Sequence, residues 1–100
     1  MKEMIRQAQL MQRKMQETQE ELKTKTVEAS AGGGMVTIVC TGGQEFLSVK
    51  IDPSVVEAGD VEMIQDLVMA AANDALNKSR AMVEQEMSKI TGGIKLPGLM

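Results

Sequence analysis

The stretch TKTVEASAGGGMVTIVCTGGQEFLSVKIDP, residues 24–53 of the 100-residue chain, decides the fold. Val27, Ala29 and Ala31 alternate with Thr26, Glu28 and Ser30. Val36, Ile38 and Cys40 alternate with Thr37, Val39 and Thr41, and Leu47, Val49 and Ile51 with Ser48, Lys50 and Asp52. A period of two belongs to strands with one face on a core. Gly32-Gly33-Gly34 and Gly42-Gly43 supply turns between the runs, so residues 24–52 are expected to form a three-stranded antiparallel meander. Pro53 ends the third strand because it cannot donate to the ladder. The triple glycine leads into a strand, and no Lys-Ser/Thr pair follows, so it reads as a turn and not as a phosphate cradle.

On the N-terminal side, Met4, Ala8, Met11, Met15, Thr18 and Leu22 recur at alternating steps of four and three, a heptad seam with one polar slip at Thr18. Gln7, Gln9, Gln12, Gln16 and Gln19 are good helix formers, and no proline or glycine interrupts the run. A helix over 1–23 follows, roughly 33 Å long. On the C-terminal side Asp60 is placed to cap a helix, with Glu62 in its first turn. Ile64, Leu67, Val68, Ala71, Ala72, Ala75, Leu76, Met82, Val83, Met87 and Ile90 then trace a drifting stripe over a helix of 60–90. Asn73-Asp74 and Asn77-Lys78-Ser79 are weaker formers, where a bend or break is expected. Gly92-Gly93 is expected to stop the helix, leaving 91–100 as a mobile tail.

The prediction is therefore one α+β domain over 1–100. Strands of about seven residues span roughly 23 Å and the last helix roughly 45 Å, so helix overhangs sheet. Apolar residues make up 43% of the chain, but Phe46 is the only aromatic and Met supplies ten of them. Such a core is adaptable and small, and oligomerisation is expected to add buried area.

Composition also excludes. No run approaches the roughly 20 apolar residues of a membrane span, so no membrane is expected as a partner. The start, MKEMIRQAQLMQRKM, lacks a secretory h-region. Cys40 has no partner for a disulfide, which fits a reducing cytosol, and a small buried hydrophobe is its favoured reading. The chain has no His, Trp or Tyr, so the usual nucleophile–base pairs are missing and a zinc site lacks ligands. Neither catalytic residues, metal, cofactor nor small-molecule substrate is expected.

The net charge is −3, but it is segregated. Met1 to Met15 holds Lys2, Arg6, Arg13 and Lys14 against Glu3; Lys78 to Met100 holds Lys78, Arg80, Lys89 and Lys95 against Glu84 and Glu86. Between Ala31 and Asn77 only Lys50 faces seven carboxylates. Lys2, Arg6 and Arg13, with Gln9 between, share one helical strip that suits phosphate, although periodicity alone favours a solvated coiled-coil flank. An extended connector from Pro53 to Asp60 would carry the chain back along the sheet. The last helix would then run antiparallel to the first, bringing both basic regions to one projecting tip.

Several pieces in order resemble the YbaB/EbfC family of bacterial nucleoid-associated proteins. They are Gln7-Ala8-Gln9-Leu10-Met11-Gln12-Arg13-Lys14-Met15, Gly32-Gly33-Gly34-Met35-Val36, Ile51-Asp52-Pro53, Asp66-Leu67-Val68-Met69-Ala70-Ala71-Ala72-Asn73-Asp74-Ala75, and Thr91-Gly92-Gly93 with Leu96-Pro97-Gly98. The resemblance implies a tweezer-like homodimer joined through its strands, binding to double-stranded DNA with a role in nucleoid organisation or gene regulation, a cytoplasmic, nucleoid-associated location, and neither cofactor nor catalysis. On the charge reading, Lys2, Arg6, Arg13, Lys14, Lys78, Arg80, Lys89 and Lys95 are the expected phosphate contacts, with Gln9, Gln12 and Gln16 able to reach groove edges. The rival expectation is a prefoldin-like holdase or protein-interaction module that uses a Met-rich helical surface built on Met4, Met11 and Met15. An enzyme using Cys40 or a carboxylate pair is the remote third.

Overall fold

The structure, a computed structural model, describes residues 1–91. The expected helix stop at Gly92-Gly93, Lys95 and all of the tail after Thr91 lie outside the described residues. Helix α1 runs Lys2–Leu22, followed by strands β1 (Thr26–Ala31), β2 (Val36–Thr41) and β3 (Phe46–Ile51), helix α2 (Pro53–Glu57) and helix α3 (Val61–Thr91). The sheet has the order β1-β2-β3 with both pairs antiparallel, as the alternation predicts. Gly32, Gly33 and Gly34 all adopt positive φ, which explains three successive glycines at the first turn.

The core lies between α3 and the sheet. Ala29 on β1 and Val36, Ile38 and Cys40 on β2 are buried against Ala71 and Ala75 of α3, with Leu67, Val68, Ala72 and Leu76 packed at the margin. Alanines at the centre let the helix come close. Ser79, fully buried, donates from its hydroxyl to the Thr41 carbonyl at 2.7 Å, which satisfies a polar group where α3 leaves the sheet. Cys40 is a free, buried thiol, as the sequence favours.

Two expectations need correcting. The connector after Pro53 is not extended: it is the short helix α2. Asp52 caps it, its Oδ1 accepting from the Ser54 N–H and hydroxyl, each at 2.9 Å, and Pro53 takes the first helical position. Nor does α3 break at Asn73-Asp74 or Asn77-Lys78-Ser79; it is continuous over its 31 residues. Burial of Ala71, Ala75 and Ser79 on the sheet outweighs the weak propensities between them. Asp60 caps α3 as expected, accepting the Met63 N–H at 3.0 Å.

The direction of the helices follows from contacts. Leu67 meets Gly32 at the end of β1, Lys78 Nζ donates to the Glu28 carbonyl at 3.1 Å, and Lys25 at its start lies 4.0 Å from Glu86. Thus α3 runs back along β1 and continues past the sheet. There Val83 and Leu22 line one notch with Gly42, so α1 enters as α3 leaves and the two are antiparallel. A Cβ on Gly42 would run into the Leu22 carbonyl, which fixes glycine at this junction. The molecule is 67 Å long and 24 Å by 16 Å across. A 31-residue helix accounts for about 46 Å of that length, and the excess of about 20 Å is the first half of α1 standing beyond the end of described α3.

Candidate nucleic-acid interface

Two halves of one heptad seam meet different surroundings on α1. Met15 and Thr18 are half-buried and Leu22 is buried, where α3 passes. Met4 and Met11 continue the same register but are 73% and 41% exposed, because described α3 ends short of them. At 100° per residue, Lys2, Arg6, Gln9 and Arg13 fall on the side of α1 opposite that seam. The distal arm therefore carries an apolar front and a basic back. Lys14 flanks the seam. Among the described residues, no ion pair involves Lys2, Arg6, Arg13, Lys14 or Arg80.

The C-terminal basic residues are placed differently. Lys78 lies over β1, held by the Glu28 carbonyl and 3.7 Å from Asp74, and Arg80 follows Ser79 where α3 leaves the sheet. Both belong to the body and not to the projecting tip. Lys89 is in the last described turn of α3, 3.3 Å from Glu86. The antiparallel packing of the two helices holds, but among the described residues the positive side chains do not converge on one tip. The cations of α1 occupy the tip; Lys78, Arg80 and Lys89 of α3 are spread from the body along the stem.

The sheet presents a surface that the alternation did not reveal. Leu47 and Val49 were expected on the core face, yet they are 57% and 49% exposed, and Phe46 is 44% exposed. The register of β3 on β2 steps at Val39/Cys40, passing over Leu47 and pairing Phe46 with Cys40. A helix about 10 Å wide covers about two strands spaced 4.8 Å apart, and α3 sits on β1 and β2. Strand β3 is left as an apolar, open edge. The run Phe46-Leu47-x-Val49, apolar on both faces, was the available signal.

Among the described residues no group of three His, Cys, Asp or Glu side chains is arranged to hold a metal, and no helix is long and apolar enough to cross a membrane.

Comparison with known proteins decides the family. The model of the YbaB/EbfC DNA-binding family matches residues 1–94. The chain belongs to that family. A nucleoid-associated protein of Syntrophobacter fumaroxidans is 58% identical over 95 residues, covering 95% of this chain and 86% of its own length. One from Acetivibrio thermocellus is 58% identical over 97 residues, covering 96% of this chain and 86% of its own. The crystal structure of an uncharacterized protein from Helicobacter pylori superposes with a TM-score of 0.64 at 27% identity, covering 86% of each chain. In this chain the glycine turns, the Asp52-Pro53 cap and the alanine face of α3 build the frame from which the arm projects.

Proposed function

We propose that this family member is a nucleoid-associated protein of the bacterial cytoplasm that binds double-stranded DNA as a homodimer, gripping phosphates with the basic backs of its α1 arms, and so organises the nucleoid or regulates genes. The observation that carries the reading is the arm itself. Lys2, Arg6 and Arg13 stand on one strip of a helix that projects beyond the body, clear of the acidic stretch between Ala31 and Asn77. Separating the cations in this way lets a protein of negative net charge present a locally positive surface to a polyanion. Lys14 adds to the arm, and Lys78, Arg80 and Lys89 are the inner phosphate contacts; Lys95 is outside the described residues. The homodimer reading is supported by β3, whose open ladder and exposed Phe46, Leu47 and Val49 make a template for a second copy of the same strand. Charging that strand with Val49→Asp is expected to yield a monomer on sedimentation.

The test is duplex binding at several salt concentrations, comparing wild type with the K2A/R6A/R13A variant. Each neutralised phosphate contributes about 0.9 to the log–log salt slope, so the variant is expected to lose about 2.7 from the slope for each arm engaged. A salt-independent affinity, or a variant that binds like wild type, rejects the arm grip. The exposed Met4 and Met11 favour one second reading, a holdase for other proteins. Protection of an aggregating client, with no duplex bound, would select it.

A further inference from the structure

The apolar front of the distal arm is not used by the DNA reading, which needs only the back. Met4, Ala8 and Met11 extend a seam whose other half is already packed on α3, so a helix-binding surface continues past the helix that fills it. In heptad terms Met1 and Ala8 take a positions and Met4 and Met11 take d positions. We infer that a second copy of this chain covers this surface, its own distal arm lying antiparallel, with Met4 of one arm against Ala8 of the other.

Three features of the arm argue for this occupant. First, the seam is self-complementary in size. With Met4 opposite Ala8 of the second copy, Met1 falls opposite Met11, and the same pairs recur in reverse. All four seam positions are then matched, with each small residue receiving a large one at the two central layers. Second, the flanks tolerate a like copy. Ile5 faces Ile5 and Gln7 faces Gln7 across the two-fold axis, an apolar pair and an amide pair, with no charge opposed to itself. Lys14, the cation beside the seam, lies beyond the overlap. Third, the cations Lys2, Arg6 and Arg13 point away from the contact, so pairing the fronts leaves both basic backs open.

The geometry also says which copy. The overlap is roughly 11 residues, about 16 Å, centred near Arg6. Each body begins at Leu22, about 24 Å further along its own arm, so two bodies joined at their arms stand roughly 48 Å apart on opposite sides. Two such chains cannot also meet at β3. Arm pairing therefore links one β3-joined dimer to the next, and two different self-complementary contacts on one chain generate an extended assembly or a closed tetramer. The arm contact itself stands on the exposed seam and does not depend on the DNA reading or on β3 pairing.

Disulfide trapping in the full chain tests it. The variant M4C/A8C is mildly oxidised with copper–phenanthroline without DNA, then run on a non-reducing denaturing gel. Cys40 is buried and stays out of the reaction. The expected result is a covalent two-chain band, strengthening with protein concentration and absent from the control K2C/R6C, whose positions are on the back. Absence of the two-chain band, or an equal band from the control, overturns the inference; coverage by this chain's own residues 92–100 would give the first of these outcomes. Sedimentation of M4E/M11E against wild type supplies the second measurement. Wild-type mass is expected to climb with concentration while the variant stays at a constant smaller mass with the same melting temperature. Equal masses for the two at every concentration overturn it. The plateau mass of M4E/M11E reads β3 pairing separately: two chains if that contact exists, one if it does not.

Discussion

The body and the arm are built by different physics. In the body, Ala29, Val36, Ile38, Cys40, Ala71 and Ala75 are buried in one cluster, and the backbone ladders of three strands close around it. In the arm, from Lys2 to Lys14, every residue is exposed, and the helix rests on propensity and on the anchor at Leu22. An isolated helix of that length is marginal in water. Burial makes the body one cooperative unit, whereas the arm keeps its surface available for other molecules. The acidic stretch falls mainly on the former and the densest basic strip on the latter, so architecture and charge segregate together.

Substitutions that strike each region should separate the two accounts. Ile38→Ala removes a side chain that is 1% exposed at the sheet centre and is expected to cost about 2–5 kcal/mol in urea unfolding. Met11→Ala, in the arm, is expected to stay within about 0.5 kcal/mol by the same measurement. Equal losses at both sites would erase the distinction. The junction comes next. Gly42→Ala forces a Cβ against the Leu22 carbonyl and is expected to cost about 1–3 kcal/mol, the overpacking range, while loosening α1 from the body. Far-ultraviolet circular dichroism during melting should then show helix lost ahead of the sheet. A single unchanged transition would mean that the junction does not hold the arm.

A smaller effect belongs to Ser79. Its hydroxyl bonds to a carbonyl that also accepts the Gln44 N–H at 3.0 Å, so Ser79→Ala leaves that oxygen with a partner. The expected cost is about 0.5–1.5 kcal/mol by denaturant titration, and a loss above about 3 kcal/mol would show a wider role. The smallest effect is at Asp52. The Ser54 N–H and hydroxyl stabilise its carboxylate and hold it below the ordinary carboxylate range. Its cap therefore contributes fully above the unfolded value of 3.8, and the contribution is lost as pH falls through the lower folded value. Asp52→Asn keeps a capping oxygen without the titration. The melting-temperature difference between wild type and variant should be constant near neutrality and shrink on acidification below pH about 4. A difference that grows with acid would contradict the cap.

Much of this division was legible in residues 24–53 and the runs beside them. Alternation in Val27–Ala31 and Val36–Cys40 is a local property, and it sets both strands and their inward faces. The heptad register of α1 likewise marks which residues can meet α3. Three features depended on tertiary placement. The expected inward residues Leu47 and Val49 stay open because one helix covers only two strands. The weak formers Asn73 to Ser79 stay helical because the sheet supports their neighbours. Lys78 and Arg80 sit on the body because α3 starts beyond the far end of β1, a position the sequence does not encode locally. The run Asp52-Pro53-Ser54 carries its own local signal for α2, a capping carboxylate followed by proline at the first helical position.

Amide hydrogen exchange, read residue by residue with and without a 20–30-base-pair duplex, tests the separation of roles most directly. At low protein concentration the account predicts fast exchange over residues 2–13 in free protein and slow exchange over Val36–Thr41, with new protection on adding duplex appearing first at Lys2 to Arg13. Protection of that segment before DNA is added at low protein concentration, or DNA-induced protection confined to the sheet, would contradict it.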